Sequence, residues 1–369
     1  MVPSAALAAV PACGSTINVN TTLTGNMTCP GNGLNIGGPN VVLDLNGFMI
    51  TGPGPDVRPG PNQVYAGVRV NSPGAVVKNG RIEAFTIAVT TTSGGDNVEV
   101  TGLTLRNNGQ GYLTQSGAPG GLGPYSDHTW FHHNKILGST STAMVIQGHG
   151  HRVESNQILA NRSGVAIRGS GVTFRTNTVD GNRSTGVNVG GDVLGDNNVI
   201  AGNSITNNTG NGVNIGGPST TKVLQGNRIE SNRIASNGDP ATSFGAVNVF
   251  SSNGAVVSNN QVVGISKGNG ISIQSGVTNT TVSGNQLTSN LDGLFVQSTS
   301  TGSTLVGNNA VRNVRDGINA ASPSTTLTAN TALQNGAFGI RAVNGVTDGG
   351  GNKASGNGVA QCSPSLVCT

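Results

Sequence analysis

The sequence predicts an all-β chain wound as a single-stranded parallel β-helix, a solenoid of about 12–13 coils with capped ends. Three observations carry that expectation. Glycines that open short apolar segments recur at Gly164, Gly186, Gly212, Gly245, Gly270, Gly293, Gly317 and Gly339, spaced by 22, 26, 33, 25, 23, 24 and 22 residues. One asparagine per repeat follows at a matching point: Asn134, Asn156, Asn177, Asn203, Asn227, Asn260, Asn285, Asn308, Asn330 and Asn352. The composition is rich in Gly (59) and poor in charge (9%) and aromatics (3%), so Asn, Ser, Thr and Gly must cover the surface. Regular Val/Ile/Leu positions argue against disorder, because disordered chains lack periodic apolar faces.

Gly293 to Asn313 states the plan. A glycine opens a strand (Leu294, Val296), a polar turn follows, and a second strand runs through Leu305 to Asn308 and Asn313. A second asparagine column reads Asn161, Asn182, Asn208, Asn232, Asn290, Asn313, Asn335 and Asn357. Stacked coils lie roughly 4.8 Å apart, so each column's amides can bond the coil above and below. Asparagine also tolerates the left-handed backbone of sharp corners, which makes both columns structural.

Residues 1–12, with SAALAAVPA, resemble the end of an export signal or an appended tail and are set apart from a single domain spanning 13–369. Cysteines occur only at the ends, Cys13 with Cys29 and Cys362 with Cys368. Two short-range pairs at the termini of a repeat array predict disulfides that staple the caps, and disulfides imply a secreted or cell-surface location. From Ile17 to Ile50 the chain alternates apolar and polar residues as half-buried strands do. This stretch, CGSTINVNTTLTGNMTCPGNGLNIGGPNVVLDLNGFMITG, resembles the first coils of secreted bacterial right-handed parallel β-helix proteins of the broad pectate-lyase superfamily. The resemblance extends along the chain as repeats and implies a right-handed winding.

Two coils carry insertions, Gln110 to Asp127 and Arg233 to Phe244, and loops that interrupt a regular scaffold often hold function. The first precedes HTWFHHNKI. It contains the chain's one tryptophan, Trp130, and all five histidines (His128, His132, His133, His149, His151) fall within 24 residues. Aligned on asparagine, the position after the central apolar residue reads Lys78, Thr101, His132, Glu154, Arg175. Two residues earlier the same face reads Glu99, Trp130, Arg152, Thr173. Alternate residues of a strand share a face, so Glu99, Trp130, His132, Arg152, Glu154 and Arg175 should gather there, giving way later to Ala201, Gln225 and Ser258. The plainer alternative is a charge ladder, Glu99/Arg152 and Glu154/Arg175, that solubilises an exposed sheet.

WFHHN resembles the W-I-D-H and H-H-N motifs of pectate lyases, with Trp130 and His133 matching the first and His132, His133 and Asn134 the second. His132 stands where that family has an acidic calcium ligand, and STSTAMVIQG replaces its arginine-rich stretch. Nucleophile elbow, phosphate loop and calcium nonapeptide are absent. Hydrolysis would have to use Glu99 with Glu154. No motif demands a cofactor. Ca is unsupported by a ligand set, and Zn or Cu would rely on His132, His133 and His149 or His151, where adjacent His132 and His133 should face opposite ways.

The expected function is therefore an extracellular polysaccharide-active protein, a β-elimination lyase or epimerase on a uronate-containing, acidic glycan. Arg152 and Arg175 would hold the carboxylate and His132 or Tyr125 would move the proton. Trp130, Glu99, Glu154, His133 and Lys78 would contact substrate. Fourteen of the 19 basic residues are Arg, suited to carboxylate or sulfate. A net charge of +4 without a basic run excludes a nucleic-acid partner, and no apolar run is long enough to span a membrane. The competing expectation is a non-catalytic sheath or adhesion protein whose repeats are the function, associating end to end.

Overall fold

The computed structural model describes residues 10–61, 63–114, 123–191, 194–216, 222–238, 245–265, 267–363 and 368. Their regular structure is all β-strand, in about 14 parallel turns, slightly more than the 12–13 expected, and early strands such as Ile87–Thr91 open without a glycine. No helix is long and apolar enough to cross a membrane. The chain divides into two compact units, Met1–Arg162 and Ser163–Thr369. The export-signal stretch falls almost wholly outside the described residues, as do 115–122 and 239–244 of the two insertions.

In the first unit one parallel sheet runs through Thr16–Ile17, Leu34–Ile36, Ala66–Val70, Ile87–Thr91, Gln110–Thr114 and Thr142–Ile146. Its inward column, Leu34, Val68, Val89, Tyr112 and Met144, is buried. The other strands stack Leu43, Val77, Val100, Phe131 and Val153. Period-two alternation buries one residue in two on strands such as Val42–Asp44, whereas Ile87–Thr91 is buried throughout. Gln110–Thr114 is a strand and not part of the insertion, because Tyr112 fills the core at 1% exposure. Burial pushes the Tyr112 phenol up to about 12. A disulfide joins Cys13 and Cys29, with Cα atoms 5.5 Å apart.

The second unit repeats the plan. Its inward columns include Val165, Val187, Val213, Val247, Ile271, Leu294, Ile318 and Ile340, all buried. Cys362 and Cys368 are joined at its end. The strand-opening glycines are required by close approach: a Cβ on Gly293 would stand 2.5 Å from the Gly317 carbonyl oxygen and 2.8 Å from the Asn313 amide.

The asparagine columns form, with one correction. Asn177, Asn203, Asn232, Asn260, Asn285, Asn308, Asn330 and Asn352 make one ladder of side-chain amides. Asn182, Asn208 and Asn237, and later Asn290, Asn313, Asn335 and Asn357, make the second. Asn227 pairs instead with Asn198 in a third column, and Asn232 belongs to the first. The same offset makes Arg233–Ala235 a ladder strand, paired with Ser204–Thr206 and Gln261–Val263, so the insertion begins only after Ala235. The left-handed residue is the one before each ladder asparagine, such as His133 (φ 53), Ser155, Ser231, Asn259 or Ala329. The ladder asparagine itself satisfies the backbone that this turn exposes.

Candidate functional site

Trp130–His132 lies between Glu99–Arg106 and Arg152–Glu154 in the first unit, in the register the columns imply: Glu99, Trp130 and Arg152 in one row, Thr101, His132 and Glu154 in the other. Lys78 extends the second row beyond Thr101 and pairs with Asp44 at 3.7 Å, away from the imidazoles.

The Glu99/Arg152 pair of the charge-ladder alternative does not form. Arg152 donates within its own strand to Glu154, from Nε to Oε1 at 3.2 Å and from Nη2 to Oε2 at 3.1 Å. Trp130 Nε1 donates to the same Glu154 Oε2 at 3.2 Å, and the Arg152 guanidinium lies 4.9 Å over the indole. His132 stacks on Trp130 with ring centroids 3.8 Å apart. Its Nε2 meets Glu99 Oε1 at 3.0 Å. Trp130 is therefore not a bare platform: imidazole and guanidinium already rest against it, leaving it half-buried.

His132 and His133 were expected on opposite faces. Their Nδ1 atoms stand 2.7 Å apart. Alternation holds only for extended backbone, and His133 is the left-handed corner residue, so its ring swings back to its neighbour. His132 is buried at 8% exposure and also meets Thr101 Oγ1 at 3.3 Å, whereas His133 is exposed. A carboxylate can only accept, so Glu99 Oε1 accepts a hydrogen bond from His132 Nε2–H. His132 Nδ1 then accepts from His133 Nδ1–H, which leaves the lone pair of His133 on Nε2.

The other three histidines belong to a separate corner. His149 lies on Asp127, Nδ1 to Oδ1 at 3.3 Å, and His128 donates its amide to the His149 carbonyl. His151 is 1% exposed; its Nδ1 accepts the Thr129 amide at 3.1 Å and its Nε2 donates to the Gln147 carbonyl at 2.7 Å. Among the described residues no group of three or more His, Cys, Asp or Glu is placed to hold a metal ion. Burial lowers the His151 pKa from 6.5 to about 4. The unfolded chain thus binds this proton first as pH falls, and stability is lost between those two values. Replacing His151 by Gln should remove about 3 kcal/mol of that acid sensitivity, read as the change in unfolding free energy from pH 7 to pH 4. Equal slopes in both proteins would contradict the assignment.

Tyr125 is half-buried on the segment entering the Trp130 strand. Arg175 ends strand Thr173–Arg175 in the second unit and is exposed. In its row Ala201 is followed by Glu230 and Ser258, not Gln225, and Arg228 pairs with Glu230 as Arg152 does with Glu154. Asp292 and Asp316 were not among the expected site residues. Two Asp-Gly pairs separated by one repeat length were the available signal.

A family model described as the right-handed β-helix region matches residues 124–287 and 225–366. No curated protein matches the chain. Among solved structures, the A-module of the Azotobacter vinelandii mannuronan C-5 epimerase AlgE4 is 15% identical, over 92% of this chain and 91% of that one, with a TM-score of 0.44. The periplasmic alginate epimerase AlgG is 12% identical, over 90% and 76%, with a TM-score of 0.46. The catalytic unit of the GH87 α-1,3-glucanase of Streptomyces thermodiastaticus strain HF3-3 is 18% identical, over 90% and 63%, with a TM-score of 0.47.

Proposed function

The chain belongs to the right-handed β-helix family, and on that scaffold we propose an extracellular polysaccharide-active protein that removes a proton beside a uronate carboxylate, as a β-elimination lyase or an epimerase does. The observation that supports it is the run Glu99–His132–His133, a carboxylate, a buried imidazole and an exposed imidazole joined at 3.0 and 2.7 Å. Such a run fixes the tautomer and orientation of its outer member and gives positive charge gained there a path inward to the carboxylate.

His133 Nε2 accepts the C5 proton in this scheme, and His132 positions it from behind. Arg152, 51% exposed in its side chain and braced by Glu154, offers its remaining N–H groups to the uronate carboxylate. Electron density released at C5 is delocalised into that carboxylate. In elimination it then expels the C4 oxygen, protonated by a donor such as Tyr125; in epimerisation a proton returns to the opposite face. The disulfides Cys13–Cys29 and Cys362–Cys368 support export, since such bonds persist in oxidising compartments.

The test is incubation with pectate, polymannuronate and glycosaminoglycans in deuterium oxide. Uptake of deuterium at C5, with or without a rise in ultraviolet absorbance from an unsaturated product, is the expected result. If no polymer gains either signal, proton abstraction is excluded. The long asparagine ladders favour a second reading, a structural extracellular repeat protein, and ordered fibres from purified protein inert toward all three polymers would support it.

A further inference from the structure

The second unit carries a cluster that this chemistry does not use. Asp292 and Asp316 stand directly before Gly293 and Gly317, at the same point of neighbouring coils, and both are 0% exposed. Their Oδ1 atoms act alike, each accepting a backbone amide from the next coil: Asp292 takes that of Asp316 at 3.1 Å, and Asp316 takes that of Phe338 at 3.0 Å. In earlier coils the residue before the glycine is Asn211 or Asn269, whose neutral amides donate to Asn214 and Ser272 in their own strands. Stacking therefore does not require charge at this point.

The two aspartates arrive with two arginines and differ in how they are satisfied. Arg315 grips Asp292 through Nε at 2.7 Å and again through Nη2, and Asn319 approaches the second oxygen at 3.5 Å. Asp292 is thus fully engaged and anchors Arg315. Asp316 keeps its Oδ2 buried without a hydrogen-bond partner, while Arg315 Nε and Arg341 Nη1 both stand 3.9 Å from it. Leaving such an oxygen without a donor is costly, and 3.9 Å is too long for a direct hydrogen bond. The two guanidiniums that cover it are themselves solvent-facing, so a shift of either admits a hydroxyl that donates to the carboxyl oxygen and accepts from a guanidinium.

Apolar surface lies alongside. Phe295, Asn319 and Arg341 form one outward row on adjacent strands, Phe295 is half-buried, and Arg341 lies 5.6 Å over the half-buried Phe338 ring. A carboxyl, two guanidiniums and phenyl faces side by side match a sugar ring, whose hydroxyls need bidirectional partners and whose C–H face needs an apolar one.

We propose that Asp316, Arg315, Arg341 and Phe295 form a saccharide-binding site on the second unit, in which one sugar hydroxyl bridges Asp316 Oδ2 and the guanidiniums. Recognition runs through hydroxyl groups, so the site does not require a uronate and does not depend on the His133 chemistry. It is a binding site and not a hydrolytic pair, because the Asp292 oxygens are already taken.

Calorimetric titration with oligogalacturonate, oligomannuronate and neutral α-glucan oligosaccharides tests it. The proteins compared are the wild type, Asp316→Asn, Arg341→Gln and, as an exposed control, Asn309→Ala. Asp316→Asn keeps the shape and the Oδ1 acceptor, and Arg341 is 57% exposed in its side chain, so folding is safe in at least the second. Wild type should bind at least one probe. Affinity should fall about tenfold in Asp316→Asn and in Arg341→Gln, as loss of a charge-assisted hydrogen bond implies, and hold in Asn309→Ala. Absence of binding by the wild type, or unchanged affinity in both Asp316→Asn and Arg341→Gln, overturns the site. An equal fall in Asn309→Ala overturns it too, and none of these outcomes bears on proton abstraction in the first unit.

Discussion

Asn308→Ala is expected to remove about 3–5 kcal/mol of stability from the second unit, although it deletes a small polar side chain. The Asn308 amide donates to the Val282 carbonyl at 2.9 Å and to Asn330 Oδ1 at 3.0 Å. Its oxygen accepts the Asn285 backbone amide at 3.1 Å and the Asn285 side chain at 2.9 Å. All of these partners are buried, so truncation orphans several groups at once with no water to replace the lost bonds. In a repeat array each coil depends on its neighbours, so the damage should spread outward from that coil. Hydrogen exchange should show the Asn285 amide losing protection first, and the denaturant midpoint should fall. Asn309→Ala is the matched control, one residue away on the exposed face and expected within about 0.5 kcal/mol of wild type. Similar losses in the two variants would mean that the ladder contributes nothing specific.

The same ladders explain why the fold was legible and why one coil was misaligned. Periodic glycine, apolar and asparagine positions reflect steric and hydrogen-bonding demands that every coil repeats, so they survive in the bare sequence. Asn198, Asn203 and Asn208 stand five apart, and so do their partners Asn227, Asn232 and Asn237. A slip of five residues therefore superposes asparagine on asparagine and costs nothing in pattern. The extra corner strand Leu224–Gln225, paired with Ser252–Asn253, marks where this coil is longer. The Trp130, His132, Arg152 and Glu154 rows were legible because stacked parallel strands keep register. The His132–His133 contact was not, since it depends on a left-handed turn that a histidine, unlike glycine, does not announce. Nor was the exchange of partners, Glu99 to His132 and Arg152 to Glu154, because column order gives neighbours and not which rotamer meets which.

Glu99→Gln should lower the rate of C5 proton exchange about 100-fold with KM nearly unchanged, and His133→Ala should lower it about 1000-fold. The two effects differ in kind. His133 would touch the proton being moved, so its removal deletes the acceptor. Glu99 would act through His132: glutamine keeps a hydrogen-bonding oxygen near Nε2 but withdraws the negative charge that stabilises the relay once it is protonated. A purely structural role for Glu99 predicts something else. Its side chain is 34% exposed, so the substitution should leave thermal stability and saccharide affinity where they were whether or not the relay operates. The rate alone separates the possibilities. A Glu99→Gln protein that exchanges the proton at the wild-type rate would show that the carboxylate does no more than fill its place in the row. The proton acceptor would then have to be sought elsewhere. A large loss in Glu99→Gln, restored by Glu99→Asp to the extent that the shorter carboxylate still reaches His132, would tie the charge on the first strand to chemistry at a histidine two links away.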